Sequence, residues 1–292
     1  MTGPVLVTGA GGFIGRRLVA MLRARDTQVI AWTRAEVDLA DAAQVTRAMK
    51  AAGAGTVYHL ASSGVAPEQQ VEACIARDLA MTEAILAALP AGATLVQAGS
   101  MAEYGASGRL REEQACRPAT FYGRAKLACT RHALEHGPAR GVAVRVGRIF
   151  GAYGAGERPG RLIPNLVEKL LRGEPLPLSD GVQRRDFIHV DDVCAALIDL
   201  AALPVCERAL LVNIGTGRAI TVRAAAERIA DLLGADRGLL RFGATPRRAT
   251  DEDMLEADTS RFAALIGSVP PQHLCDSDDA ALAVLIGATG AR

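Results

Sequence analysis

Pro4-Val5-Leu6-Val7-Thr8-Gly9 is an apolar, β-rich run ending on glycine, and Ala10-Gly11-Gly12-Phe13-Ile14-Gly15 follows at once. From Phe13 to Arg25 the apolar residues Ile14, Leu18, Met21 and Leu22 recur at helical spacing. The stretch therefore reads as a strand, a tight turn and a helix. Gly9, Gly12 and Gly15 form a Gly-x-x-Gly-x-x-Gly array. The first glycine allows the turn, the second lets an anion approach the backbone, and the third lets helix and strand pack closely. The helix start adds free N–H groups and a partial positive charge, which suits a pyrophosphate. A glycine array alone also serves as a plain tight turn; the strand before it and the helix after it favour dinucleotide binding.

Outward from this turn the alternation continues. Strands are expected at 28–32, 56–61, 93–100 and 142–151, and helices at 41–52, 71–89 and 121–135. Strands alternating with long helices mean parallel βαβ units, and continuously apolar strands mean a sheet covered on both faces. The fold class is α/β, a Rossmann-like doubly wound parallel sheet with a smaller, interleaved C-terminal lobe. Residues 1–150 are the expected dinucleotide-binding domain, with returning segments at about 187–217. Residues 151–186 and 218–292 are the expected substrate lobe. No internal repeat is visible.

Composition narrows the function. The chain has 292 residues, 50% hydrophobic and 22% charged, with a net charge of +1. That balance argues against a broad nucleic-acid surface. No apolar run reaches a membrane span, and the N-terminus lacks a signal-peptide pattern, so a cytoplasmic location is expected. The six cysteines show neither zinc spacing nor a disulfide framework. His132 and His136 lie four apart but on an Arg-rich face, so no metal is expected. Lys and Arg together number 33, yet the lysines are Lys50, Lys126 and Lys169 alone; a lysine kept here does something arginine cannot.

An NAD site usually places a carboxylate at the end of the second strand, on the ribose diol. Trp32-Thr33-Arg34 stands there instead. Arg34 could pair with a 2′-phosphate and Thr33 could donate to it, so NADP(H) is preferred, with NAD(H) the alternative. Asp38 and Leu39 would lie beside the adenine.

Tyr122 and Lys126 are spaced i, i+4 on one helix face. A free tyrosine titrates near pH 10, too high for a good proton shuttle, and an adjacent ammonium stabilises its phenolate. Ser100 ends the strand Leu95-Val96-Gln97-Ala98-Gly99-Ser100, on the side where ligands bind in such sheets.

Taken in order, the glycine array, Tyr58-His59-Leu60-Ala61, Gly99-Ser100-Met101-Ala102-Glu103-Tyr104-Gly105, Tyr122-Gly123-Arg124-Ala125-Lys126 and Arg185-Asp186-Phe187-Ile188-His189-Val190-Asp191-Asp192-Val193 resemble the extended short-chain dehydrogenase/reductases, within the nucleotide-sugar epimerase/dehydratase/reductase group. The resemblance spans nearly the whole chain. It implies catalysis by Ser100, Tyr122 and Lys126, and cofactor contacts from Gly9, Gly12, Phe13, Ile14, Gly15, Leu60, Ala61, Tyr122 and Lys126. It also implies an NDP-sugar gripped through its diphosphate by Arg185 and Arg248, and a homodimer formed through helices 71–89 and 121–135. Departures are Asp78, where an asparagine is common, and Arg148, read as the residue replacing another asparagine and altering the substrate pocket. Related dehydratases carry Asp-Glu directly after the hydroxyl residue; Met101-Ala102 cannot transfer protons, which argues against 4,6-dehydration. The expected activity is NADPH-dependent reduction of an NDP-4-keto-sugar at C4. The alternatives are an NAD-dependent 4-epimerase and, less favoured, a non-catalytic dinucleotide or NDP-sugar binder.

Overall fold

The computed structural model describes residues 3–63, 71–204, 208–248, 251–279, 282 and 286. In chain order its elements are β1 (Val5–Thr8), α1 (Phe13–Arg23), β2 (Val29–Trp32), α2 (Ala42–Ala52), β3 (Thr56–His59), α3 (Val71–Ala88), β4 (Thr94–Ser100) and β5 (Gly108–Leu110). Then come α4 (Phe121–Ala139), β6 (Ala143–Ile149), β7 (Gly151–Tyr153), α5 (Leu162–Leu171), β8 (Leu176–Leu178), β9 (Arg184–Arg185), β10 (Phe187–His189) and α6 (Val190–Ala202). The last are β11 (Ala209–Ile214), β12 (Ile220–Thr221), α7 (Val222–Leu232), β13 (Leu240–Phe242), β14 (Met254–Ala257), α8 (Ser260–Ile266) and α9 (His273–Asp276).

The chain divides into two compact units. The first comprises Met1–Gly105, Glu112–Ile149 and Val193–Ile214. Its six-stranded sheet runs β11-β6-β4-β3-β1-β2, every pairing parallel. The strand order reverses between β1 and β3, which opens a crevice at their carboxyl ends. All residues of β1 and β6 are buried, as in a sheet covered on both faces. One core cluster runs from Leu6, Val45, Val57 and Leu95 to Ile85, Val144 and Val146.

Local chemistry sets the helix ends. Asp41 caps α2 by accepting from the N–H groups of Ala43 and Gln44, and Gly53 closes it with φ +59°. Thr120 caps α4 through the Gly123 N–H. Helix α4 runs to Ala139, past the expected end at 135, with Pro138 in its last turn. Gly137 permits this: a Cβ there would sit 2.2 Å from the Val144 side chain, so only glycine lets the helix end lie against β6. Strand β3 stops at His59, before the expected 61, leaving Leu60 and Ala61 to the loop beyond it.

The second unit comprises Ala106–Arg111, Phe150–Asp192 and Gly215–Arg292. It contains the sheet β12-β9-β14-β5 and the parallel pairs β10-β7 and β13-β8. Its own core gathers Tyr153, Leu166, Phe187, Ala226, Ile229 and Leu274. Asp186 is fully buried and holds this unit's segments together. Its carboxylate accepts from the Thr216 N–H (2.9 Å) and hydroxyl (2.6 Å), the Gly217 N–H (2.9 Å) and the Ala257 N–H (3.1 Å). Burial pushes the carboxyl upward, and these donors oppose the shift. Asp186→Asn keeps the shape but turns donors towards backbone N–H groups, so it should destabilise the protein by about 2–4 kcal/mol. Urea denaturation measures this; a loss below about 1 kcal/mol would remove Asp186 from that role.

In the first unit His59 is buried between Thr8 (2.8 Å) and Thr82 (3.4 Å). Burial, reinforced by the nearby Lys126 charge, pushes its imidazole down to about 4. The fold therefore holds a neutral ring whose unfolded counterpart titrates near 6.5. Stability from this group is fully present above pH 6.5 and is lost as pH falls towards 4, by a total of about 3 kcal/mol. Denaturation curves between pH 7 and 4.5 should show the fall, and His59→Gln should flatten it; parallel pH dependence in both proteins would refute the assignment.

Candidate active site

The glycine turn brings three stretches of backbone together. Gly9 adopts φ +65°, and a Cβ on it would lie 2.7 Å from the Ala61 nitrogen. A Cβ on Gly15 would lie 2.2 Å from the Gly9 carbonyl oxygen, and one on Gly12 3.2 Å from the same atom. Gly12 occupies the N-cap of α1, and no side chain caps it. The first N–H groups of the helix are thus left to an anion.

Beside this turn lies a cavity of about 300 Å³. Gly9, Gly11 and Gly12 form one wall, Trp32-Thr33-Arg34 and Val37-Asp38-Leu39 another, and Leu60-Ala61-Ser62 with Arg77 and Met81 the rest. Exposed backbone N–H groups beside an apolar slot suit the phosphates and adenosine of a dinucleotide. The lining includes the expected Gly9, Gly12, Thr33, Arg34, Asp38, Leu39, Leu60 and Ala61; Phe13, Ile14, Gly15, Tyr122 and Lys126 stand outside it. Trp32, the chain's single tryptophan, Arg77 and Met81 were not singled out in the sequence.

The rim differs from the expected phosphate clamp. Both the N–H of Thr33 (2.7 Å) and its hydroxyl donate to the Glu36 carboxylate. These bonds hold the Glu36 carboxyl below the usual range. Thr33 thus bonds an anion of its own chain, where the sequence reading offers its hydroxyl to a 2′-phosphate. Asp38 accepts from the Ala40 N–H at 3.1 Å and pairs with Arg77 at 3.2 Å; the Ala40 bond leads in lowering its carboxyl. Two arginines, Arg34 and Arg77, thus face two carboxylates. Glu36 carries no signal in the strand-end pattern because it lies beyond the strand, in a turn where the Glu36 and Val37 N–H groups bond back to the Thr33 carbonyl.

Ser100 ends β4 and is buried. Its hydroxyl accepts from the Ala102 N–H (3.2 Å), and its own N–H donates to Glu103 (2.8 Å). Tyr122 and Lys126 occupy the first turns of α4. Lys126 is buried; its ammonium donates to the Ala98 carbonyl (3.0 Å) and sits 5.9 Å from the Tyr122 ring centre. A Cβ on Gly123 would lie 2.2 Å from the Ala102 carbonyl oxygen. Glycine therefore seats the start of α4 directly on the turn after Ser100, bringing the three expected catalytic residues to one end of β4. Asp78 is buried and accepts from the Ser62 hydroxyl (2.8 Å) and the Ser63 N–H (2.7 Å), anchoring the segment after β3.

Arg148 departs from its expected place in a substrate pocket. It is only 3% exposed, and its Nε pairs with Glu103 at 2.8 Å. Its guanidinium also donates to Cys116 Sγ (3.2 Å) and lies 4.4 Å from the Tyr104 ring centre. In the second unit, Arg185 donates to the Arg184 and Glu252 carbonyls (2.8 Å each) and pairs with Asp251. The Asp251 N–H donates to the Arg248 carbonyl (3.0 Å), and Arg248 is exposed. Ala249 and Thr250 of that motif lie outside the described residues. Asp191 and Asp192 lie in the first turn of α6, and Asp192 bonds His273 at 2.9 Å. Among the described residues, no His, Cys, Asp and Glu side chains group as a metal site, and no helix is long and apolar enough to cross a membrane.

Comparison with known proteins agrees with this geometry. Residues 5–215 match the NAD dependent epimerase/dehydratase family. A dTDP-6-deoxy-L-talose 4-dehydrogenase (NAD(P)(+)) of Kitasatospora kifunensis is 31% identical, over 75% of this chain and 76% of its own. A dTDP-glucose 4,6-dehydratase of Streptomyces griseus is 28% identical, over 94% of this chain and 92% of its own. The structure of MoeE5 in complex with UDP-glucuronic acid and NAD superposes with a TM-score of 0.82 at 31% identity, covering 98% of both chains. With the parallel sheet, the glycine turn and a matched stretch that takes in Ser100, Tyr122 and Lys126, the chain belongs to the NAD dependent epimerase/dehydratase family, the nucleotide-sugar enzymes of the extended short-chain dehydrogenase/reductase type that use NAD(P).

Proposed function

We propose that this enzyme transfers hydride at C4 of a nucleotide-activated hexose, and that its forward reaction is reduction of an NDP-4-keto-6-deoxy sugar. The observation carrying this reading is the end of β4, where a buried hydroxyl is followed by Met101 and Ala102 and faces a Tyr–Lys helix. The site has the groups for one hydride and one proton, and neither residue after Ser100 can remove a C5 proton or expel a C6 hydroxyl. The nicotinamide of a dinucleotide held at the glycine turn would supply the hydride. Ser100 orients the C4 carbonyl oxygen, Tyr122 gives it a proton, and Lys126, held by the Ala98 carbonyl, stabilises the phenolate left behind. Arg248 is the candidate for the substrate diphosphate; Arg185 pairs with Asp251. The same reading includes pairing of two copies through α3 and α4.

A 4-epimerase would use the same three residues with a retained oxidised cofactor, and one observation favours it. Glu36 bonds Thr33 and Asp38 pairs with Arg77, so two carboxylates balance Arg34 and Arg77 and the rim offers no net positive charge to a 2′-phosphate. Arg34 still favours NADPH in the proposed reading. The assay is dTDP-4-keto-6-deoxyglucose with NADPH or NADH, followed at 340 nm, alongside UDP-glucose with product analysis. Absorbance loss with the keto sugar supports the reductase; interconversion of UDP-glucose without net cofactor consumption supports the epimerase.

Two predictions follow from the site's charges. Tyr122→Phe should keep the fold and cofactor binding while lowering turnover by about 10²–10⁴-fold. Lys126→Arg should lower it similarly, because a planar fork cannot replace a compact ammonium. Near-wild-type turnover in both would show that the reaction occurs elsewhere. For the cofactor, Arg34→Ala should weaken NADPH more than NADH, and Glu36→Gln should strengthen NADPH relative to NADH, each by about 5–10-fold for roughly 1 kcal/mol of charge interaction. Trp32 lines the cavity, so quenching of its fluorescence measures both affinities; unchanged ratios in both variants would refute charge selection at this rim.

A further inference from the structure

We propose that Glu103 is a positioning residue that locks the helix bearing Tyr122 and Lys126 against Ser100, through Thr130 on that helix and Arg148 behind it. The inference rests on the reading of Ser100, Tyr122 and Lys126 as the catalytic groups.

The Glu103 side chain is completely buried, and both its oxygens are used. Oε1 accepts from the Ser100 N–H at 2.8 Å and from the Thr130 hydroxyl at 3.0 Å. Oε2 accepts from Arg148 Nε at 2.8 Å. The first bond fixes the end of β4. The second fixes α4. Tyr122, Lys126 and Thr130 recur every four residues, so they share one helix face. A bond at Thr130 therefore sets the rotation of that face, two turns beyond the phenol.

A capping box of the short turn 101–103 accounts for part of this arrangement, since Ser100 and Glu103 bond reciprocally around it. It does not account for Thr130 or Arg148, which come from α4 and β6. Two glycines make room for the lock. A Cβ on Gly99 would lie 2.7 Å from Glu103 Oε1, and one on Gly123 would strike the Ala102 carbonyl oxygen. Arg148 pairs in register with Gly99 across β6 and β4. Its buried charge requires a carboxylate here, and an unpaired guanidinium at this depth would be strongly unfavourable. Tyr104, stacked on Arg148, donates to Asn213 at 2.6 Å and ties the network to β11.

Thr130→Val separates the lock from the capping box, because the Glu103–Ser100 bond remains. With dTDP-4-keto-6-deoxyglucose and NADPH, kcat should fall about 10-fold or more, since small misplacements of reacting groups carry such costs. KM and the NADPH affinity read from Trp32 quenching should change little, and the melting temperature should fall by no more than the several degrees expected for one lost hydrogen bond to a buried carboxylate. Thr130→Ser, which restores the hydroxyl, should recover kcat. Glu103→Gln should lower kcat at least as far; if it does not fold, Thr130→Val decides alone. A second readout needs no substrate. In 3-fluorotyrosine-labelled protein the Tyr122 resonance, identified by its loss in Tyr122→Phe, should broaden or split in Thr130→Val, while that of Tyr58 on β3 should not. An unchanged Tyr122 resonance together with unchanged kcat in Thr130→Val would overturn the proposal. If no sugar nucleotide is turned over, the resonance decides. If Tyr122→Phe keeps full turnover while the resonance still responds to Thr130→Val, the catalytic reading fails and the lock stands.

Discussion

Three backbones meet without side chains at the start of this chain, and the first unit is arranged around that meeting. Gly9 touches the Leu60-Ala61 backbone and Gly15 touches Gly9, each closer than any Cβ would permit. β1, β3 and the first turn of α1 can then converge where the strand order reverses. The crevice at this point exists because the residues that would fill it have no side chains. An alanine at Gly15 would collide with a carbonyl oxygen, not with a flexible side chain, so nothing soft could yield.

Much of this was legible because it is local. The strand-to-helix switch at Gly9–Gly15, the apolar strands and the Tyr122–Lys126 spacing are all written within a few residues, where periodicity and steric rules operate. Elements missed their expected ends where tertiary contacts overrode local signals. The helix expected over 121–135 continues to Ala139, because packing of Gly137 on Val144 carries α4 on through Pro138.

The site was less legible where its partners are distant or of unexpected sign. Arg148 reads as a substrate-pocket residue because it replaces an asparagine of the resembled family; its partner in the structure, Glu103, lies 45 residues earlier. Nothing in the spacing of those residues shows that β4 and β6 are neighbours in register. Thr33 was read from its own hydroxyl alone, and the carboxylate that takes it lies only three residues away. That signal was available: an acidic residue just beyond a strand end can fold back in a short turn. At the rim, charge balance is a property of four residues together, and no single one reveals it.

The contrast between Arg148 and Lys126 explains why a chain that uses arginine almost everywhere keeps a lysine in α4. Both side chains are buried. Arg148 presents five donors in a fixed plane, and the structure surrounds it with Glu103, Cys116 and the face of Tyr104. Such a cation is immobilised by its partners and has little left to offer a ligand. The Lys126 ammonium is compact and is anchored by the Ala98 carbonyl. Its three donors rotate on a flexible stem, so one anchoring bond leaves capacity towards a phenolate or a ribose hydroxyl. Burial thus demands a different cation depending on whether the charge is to fasten the scaffold or to meet a changing partner. The scaffold takes the fork that needs many fixed acceptors, and the reacting end takes the point charge that needs only one.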